Sequence, residues 1–173
     1  MDRLPPFDAL RADDAVTVAE STATHASDEF DYWTRLDGIL VLGVLDTDGN
    51  VLLMDSSHGW RLPFVAVEGS DWASVARTSA EALTGVEVTV ESVERVECVE
   101  HRPDDSADRV DSVTRTVTHD VVVRTTPVAE GSLAATPRLP DWGELTVDWF
   151  GAVPDDAYRD HDETVADIER MLD

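Results

Sequence analysis

The chain has 173 residues, and 37 Asp and Glu against 13 Lys and Arg give it a formal net charge of −24. A surface this negative repels phosphate backbones and anionic lipid headgroups, which argues against nucleic-acid and membrane partners. The length suits one domain. Its longest apolar run extends from Gly38 to Leu45, where Asp46 interrupts it, far short of the roughly 18 residues of a membrane span. The first residues lack the basic start and apolar centre of a signal peptide, so we expect none.

The composition is typical of proteins that work in concentrated salt. The chain contains no lysine, yet 42% of its residues are hydrophobic, which argues against disorder. At about 1 M salt the Debye length falls to about 3 Å, so the repulsion between carboxylates is screened. Cys98, the one cysteine, cannot form an internal disulfide, as expected in a reducing compartment. We therefore expect a haloarchaeal-type acidic protein in a high-salt cytoplasm, the alternative being an acidic protein from a low-salt organism.

The first elements in chain order are an arm and a central strand. Residues 1–36 show little periodicity, and we predict a loosely structured arm with a short helix around Phe7 to Leu10. Gly38–Leu45 is apolar on both faces, which predicts a strand covered on both sides. Asp46–Asn50 is a predicted turn, and Val51–Met54 is predicted to return as the hairpin partner.

The remainder, residues 37–173, is predicted to form one domain. A helix is expected from a cap at Ser70 or Asp71 to Gly85, where a left-handed glycine ends it. Further strands are predicted at Arg61–Val67, Val86–Val90, Val93–Val99, within Val110–Thr126 and at Glu144–Phe150, and a last helix after Pro154. Residues 102–109 and 127–141 read as loops. This order predicts an α+β fold, a mixed sheet with helices on both faces.

Several segments of this domain resemble the Nudix hydrolase family. Trp60-Arg-Leu-Pro63 resembles the W-x-L-P segment that precedes the family's box, and Val67-Glu-Gly69 resembles its V-E-x-G segment. Thr84-Gly85 resembles the end of the box, residues 118–123 a later central strand, and residues 149–154 the W-F-x-x-x-P ending. The resemblance covers about residues 37–172 and implies the α/β/α sandwich of that family.

The family's box, G-x5-E-x7-R-E-U-x-E-E-x-G-U with U apolar, gathers Mg²⁺ or Mn²⁺ on the diphosphate of a nucleoside diphosphate derivative. Hard divalent cations prefer oxygen ligands, so this chemistry needs several carboxylates on one helix face. Counted back from Gly85, the first glycine position and the Glu and Arg positions hold other residues: Phe64, Ser70, Thr78, Ser79, Ala82 and Leu83. A shift by one residue restores only Arg77 and Glu81, so neither register restores a metal cluster.

The resemblance therefore implies a domain that binds a nucleotide or nucleoside diphosphate-type small molecule, with hydrolysis lost or weak. One alternative is an active hydrolase that uses Mg²⁺ or Mn²⁺ and off-pattern carboxylates. In that case the candidate catalytic residues are Glu81 and Glu68, the candidate metal ligands are Glu68, Asp71, Glu81 and Glu100, and Glu97 and Asp120 are further carboxylates that could compensate. A non-enzymatic interaction module is the third possibility, and a homodimer remains open.

Ligand contacts are predicted in the loop before the strand at Arg61. A base could stack there and a phosphate could find a cation, although structural packing of Trp60 is the competing interpretation. The candidate ligand-binding residues are His58, Trp60, Arg61 and Arg77. Cys98 and His101 have a ligand-like spacing, but a structural zinc site needs four ligands and no second close pair follows.

Overall fold

The computed structural model describes residues 1–69, 71–104 and 114–173. The helices are α1 (Phe7–Arg11), α2 (Ser27–Trp33), α3 (Trp72–Thr84) and α4 (Asp162–Leu172). The strands are β1 (Thr17–His25), β2 (Gly38–Gly43), β3 (Val51–Ser56), β4 (Gly59–Arg61), β5 (Phe64–Val67), β6 (Val90–Pro103), β7 (Thr116–Thr125), β8 (Arg138–Leu139), β9 (Gly143–Glu144) and β10 (Val147–Phe150).

The main sheet has five strands in the order β1-β6-β7-β2-β5. It is mixed, because β2 is parallel to β7 and antiparallel to β5, while β1 is parallel to β6 and β6 antiparallel to β7. A second sheet has the order β10-β3-β4, and β8 pairs with β9. None of the helices within the described ranges is long and apolar enough to cross a membrane.

Helices cover both faces of the main sheet, which confirms the predicted α+β fold. On one face Ala76, Ala80 and Leu83 of α3 belong to the core that contains Leu40 and Leu42 of β2. On the other face, α4 packs Ile168 and Met171 against a core that contains Val122 of β7. Strand residues alternate between the two faces, so β2 and β7 each contribute to both cores.

The predicted start and end of α3 are confirmed. The Asp71 carboxylate accepts the backbone N–H of Ser74 at 2.9 Å, and Gly85 ends the helix with φ of 74°. Such a cap satisfies one of the amides that a helix start leaves unpaired, and glycine adopts positive φ without steric cost. Ser70, the other candidate cap, lies outside the described residues.

The N-terminal arm is more ordered than its sequence predicted. The short helix is present as α1, but β1 follows it and pairs with β6 from Thr17–Arg95 to His25–Pro103. The sequence did not reveal β1 because it is an edge strand with few apolar residues and a mostly exposed surface. The division at residue 37 remains a prediction, and β1 is a strand of the same sheet as β2 and β6.

Other local predictions need correction. The predicted hairpin at Asp46–Asn50 is present only at its base, where Leu45 pairs with Val51 in an antiparallel bridge. Beyond that bridge β3 joins the second sheet, because β2 already has neighbours on both edges. The predicted strand at Arg61–Val67 is divided between β4 and β5, Val86 to Thr89 precede the strand that starts at Val90, and the last helix begins at Asp162 rather than near Pro154. Of the predicted loop at residues 102–109, Arg102 and Pro103 belong to β6, and residues 105–109 lie outside the described ranges.

Gly38 marks a close approach between β2 and β7. A Cβ added there would lie 1.7 Å from the carbonyl oxygen of His119, which is backbone that cannot move aside cheaply. We expect Gly38→Ala to lower the free energy of unfolding by about 1–3 kcal/mol, as overpacking does. Gly151→Ala is the matched control, because its added Cβ would meet only the side-chain oxygen of Asn50 at 3.0 Å. Equal denaturation midpoints for the two variants would contradict this prediction.

Candidate functional site

A cavity of about 620 Å³ lies on the face of the main sheet opposite α3. Its floor consists of alternate residues of the sheet, among them Ala23 of β1, Val99 of β6 and Val41 of β2. Trp33 of α2 and Thr164 of α4 contribute to its walls. Cavities of this volume are typical of small-molecule sites in proteins.

A buried ion pair joins the cavity floor to α4. The Nε and Nη2 atoms of Arg95 donate to the two carboxylate oxygens of Asp167 at 2.9 and 2.8 Å, and Nη1 donates to Glu97 at 2.8 Å. The Arg95 and Asp167 side chains are only 8% and 5% exposed. Burial alone would lower the pKa of Arg95, but the hydrogen bonds and charges of Asp167 and Glu97 outweigh it and raise that pKa. Arg95 therefore stabilises the fold by linking β6 to α4.

Asp120 is the unusual carboxyl group of the floor. It lies directly across the β6–β7 pair from Glu97, and its Oδ1 atom is buried with no hydrogen-bond partner among the described residues. Burial, followed by the charge of Glu97, raises the pKa of Asp120 to about 7. The floor thus contains a carboxyl group that exchanges a proton near neutral pH, next to one that already binds Arg95.

Arg61 lines the cavity and has no carboxylate partner among the described residues. Its guanidinium lies over the ring of Phe64 at 4.3 Å and over that of Tyr158 at 4.8 Å. Burial lowers the pKa of Arg61. Its Nε atom is buried without a hydrogen-bond partner, and no carboxylate in the described part of the chain pairs with it. A guanidinium held between two rings, with no carboxylate partner among the described residues, is suited to bind an anionic or carbonyl group of a ligand.

A pair of histidines lines another part of the cavity. The Nε2 atom of His25 and the Nδ1 atom of His101 are 2.7 Å apart, and Nε2 of His101 is 2.8 Å from the hydroxyl of Thr118. The ring of Trp33 stacks on that of His101 with centroids 4.4 Å apart. Burial, and then the proximity of His25, lower the pKa of His101 to about 4. His101 is therefore neutral at ordinary pH.

Of the four predicted ligand-binding residues, only Arg61 lines the cavity. Trp60 packs on Phe150 with ring centroids 4.8 Å apart, which favours the structural interpretation of this tryptophan. His58 is exposed on the turn between β3 and β4, and Arg77 on α3 approaches Asp2 at 3.9 Å. The structure thus separates Arg77 from the other three residues.

The four predicted metal ligands do not converge. Asp71 caps α3 and approaches Arg3 at 3.6 Å, whereas Glu100 pairs with Arg102 at 2.5 Å. Glu68 and Glu81 are exposed. Across the described ranges, no three His, Cys, Asp or Glu residues are grouped so that they could hold a metal ion. These residues therefore do not fit the magnesium centre that the family resemblance implies for an active hydrolase.

Most residues of the cavity were not identifiable from the sequence. Arg95, Asp167, Tyr158, Trp33 and His25 all line it, and none was a candidate. One signal was available: Asp167 precedes Ile168 and lies four residues before Met171, so a charge falls within the apolar stripe of α4. A charge at such a position indicates a buried partner, but the sequence does not say which arginine supplies it.

No protein-family model and no curated protein matches this sequence. Among solved structures, the Escherichia coli dihydroneopterin triphosphate pyrophosphohydrolase aligns with 80% of this chain and 96% of its own, at 15% identity and a TM-score of 0.48. A UDP-X diphosphatase aligns with 85% of this chain and 71% of its own, at 15% identity and a TM-score of 0.46. A candidate oxidoreductase from Sinorhizobium meliloti 1021 aligns at 21% identity and a TM-score of 0.46. The alignment covers 84% of this chain but only 42% of that one, so this chain spans less than half its length.

Proposed function

We propose that this protein binds a nucleotide or a related nucleoside diphosphate-type molecule in the cavity and hydrolyses it weakly or not at all. The observation that carries the proposal is Arg61, a half-buried cation without a carboxylate partner in the described ranges, held between Phe64 and Tyr158. An anionic group satisfies its free donors, while the rings provide apolar surface for the rest of the ligand.

The charges of the cavity fix the orientation of such a ligand. Glu97 and Asp120 are on the floor, and the one positive charge beside them, Arg95, is already bound to two carboxylates. A diphosphate at the floor would be repelled by these groups. The anionic part of the ligand therefore binds at Arg61, and its neutral part lies over the floor.

Weak or absent hydrolysis is supported by the helix that corresponds to the family's box. Ser79 and Leu83 stand at two of its Glu positions, and they are only 4% and 0% exposed. A carboxylate at either position would be buried in the core beside Ala76 and Ala80. The helix therefore packs in the core through these positions, and it lacks carboxylates there that would bind a metal ion.

One observation favours the active-hydrolase alternative. Glu97 and Asp120, two carboxylates outside the box, lie side by side in the cavity. Hydrolysis should therefore be measured with Mg²⁺ and Mn²⁺ in multimolar KCl, using ADP-ribose, nucleoside triphosphates and dinucleotide polyphosphates as substrates. We expect binding without appreciable turnover. Robust metal-dependent turnover that Glu81→Gln or Asp120→Asn abolishes would establish the alternative.

The variant Arg61→Met tests the binding site directly. It keeps the length and apolar contacts of the side chain but removes its charged donors, each of which is worth about 1.5–3 kcal/mol toward a charged partner. We therefore expect the dissociation constant for ADP-ribose, measured by titration calorimetry in multimolar KCl, to rise about 10- to 100-fold. Arg138→Met is the matched control, since Arg138 is an exposed arginine outside the cavity. Equal affinities in the two variants would refute the proposed site.

A further inference from the structure

The two carboxyl groups on the cavity floor are suited to one class of nucleobase, an inference that rests on the proposed function. Glu97 of β6 and Asp120 of β7 are directly opposite each other in the antiparallel pair, and both line the cavity. Residues in this relation point to the same face of the sheet, with Cβ atoms about 4.5–5.5 Å apart. We propose that Glu97 and Asp120 bind the base-pairing edge of guanine, so that the protein prefers guanine nucleotides.

Glu97 is a hydrogen-bond acceptor held in a fixed position. Nη1 of Arg95 donates to Oε2 of Glu97 at 2.8 Å, which orients the carboxylate. The Glu97 side chain is 14% exposed and lines the cavity, so its other oxygen can accept a hydrogen bond from a ligand. An ionised carboxylate accepts hydrogen bonds and donates none. A base bound at this position must therefore present N–H groups to it and not lone pairs.

Guanine is the common base whose edge meets this requirement. Its N1–H and 2-amino groups are neighbouring donors, which can bind one carboxylate as the two N–H groups of an arginine do. Adenine and cytosine present a ring nitrogen with a lone pair beside the amine, and uracil presents a single N–H between two carbonyl oxygens. A lone pair directed at the negative charge of Glu97 is repelled. The floor thus favours guanine partly by rejecting the other bases.

Asp120 provides a partner for the remaining group of this edge, the O6 carbonyl of guanine. Burial, and then the charge of Glu97, raise the pKa of Asp120 to about 7, so this carboxyl group carries a proton in mildly acidic solution. A protonated carboxyl group donates one hydrogen bond, which a carbonyl oxygen can accept. Ile39 lies beside Asp120 in the β2–β7 pair and also lines the cavity, where it offers apolar contact to the ring.

The test compares GDP with IDP, which differ only in the 2-amino group. Titration calorimetry of the full chain at pH 6 in multimolar KCl gives both dissociation constants. We expect GDP to bind about 10- to 100-fold more tightly, because IDP leaves a charged acceptor unpaired, and ADP to bind no more tightly than IDP. Glu97→Gln should bring the GDP and IDP affinities close together, because its amide directs N–H groups at those of guanine. Asp120→Leu should weaken both ligands by similar factors, since both carry O6.

Glu94→Gln is the matched control. Glu94 is another glutamate of β6 paired with an arginine, Arg124 at 3.1 Å, and it lies outside the cavity lining. This variant should keep the wild-type ratio of the GDP and IDP affinities. If the wild type binds GDP no more tightly than IDP or ADP, the guanine preference is overturned and the proposed function stands, whereas binding of none of the three would overturn both. The wild-type comparison remains decisive even if Glu97→Gln fails to fold.

Discussion

Replacing Arg95 by methionine is expected to lower the free energy of unfolding by about 3–5 kcal/mol, the cost of removing one partner from a buried ion pair. Arg95 provides the hydrogen bonds that hold the Asp167 and Glu97 carboxylates, at 2.8–2.9 Å. Without it, Asp167 on α4 would keep only the more distant Arg170, at 3.9 Å, and Glu97 and Asp120 would share the cavity floor with no ion-pair partner among the described residues. Chemical denaturation of the variant and the wild type in the same concentrated salt measures the difference.

Two further variants separate this effect from a general loss of charge. Arg102→Met removes an arginine of the same strand whose ion pair with Glu100 is exposed, with side-chain exposures of 57% and 25%, and should cost less than about 1 kcal/mol. Combining Arg95→Met with Asp167→Leu should recover part of the loss, because the charge left unpaired on α4 is then absent. A loss below about 1 kcal/mol in Arg95→Met would show that the pair does not hold α4 to the sheet.

Asp120→Asn is expected to stabilise the protein at alkaline pH and to have little effect near pH 4. The folded protein holds the Asp120 proton up to a pKa of about 7, whereas in the unfolded chain the usual value is 3.8. As the pH rises from about 4 to 7, the unfolded chain releases this proton and the folded protein retains it, so unfolding becomes easier. Above about pH 7 the penalty is constant, and the pKa difference sets its upper limit at about 4 kcal/mol.

Asparagine has the shape of protonated aspartate but does not ionise. The free energy of unfolding of the variant therefore does not fall through this group as the pH rises. Melting temperatures at pH 4.5, 6 and 8 in the same salt should diverge in favour of the variant as the pH rises, by roughly 2–4 °C for each kcal/mol. Asp55→Asn, at an exposed position of β3, is the control. A difference that does not change with pH would mean that Asp120 titrates like an exposed carboxyl group.

Arg61 and the hydrogen-bonded histidine pair line different parts of one cavity. Arg61 lies over Phe64 of β5, whose partner on β2 is Val41, whereas His101 contacts Thr118 of β7. Asp120 lies between these regions along β7, two residues from Thr118.

The regular elements were largely predictable because local patterns specify them. The central strand at Gly38 is marked by a run of apolar residues, and α3 is marked by its cap at Asp71 and its closing glycine at Gly85. The edge strand β1 was not predictable, because an edge strand without an alternating apolar pattern resembles a loop in sequence. The last helix was placed too early, because the proline at 154 precedes a turn instead of starting a helix.

Composition and local patterning by themselves determined the strongly acidic character and the α+β class. Tertiary structure alone decided which polar residues face one another. Arg95 and Asp167 are 72 residues apart, and His25 and His101 are 76 apart. Such contacts depend on strand register, and shifting β6 by one residue would turn Arg95 and His101 to the other face of the sheet. In a chain with 37 acidic residues, the sequence cannot distinguish the few carboxylates that the fold buries from those left in water.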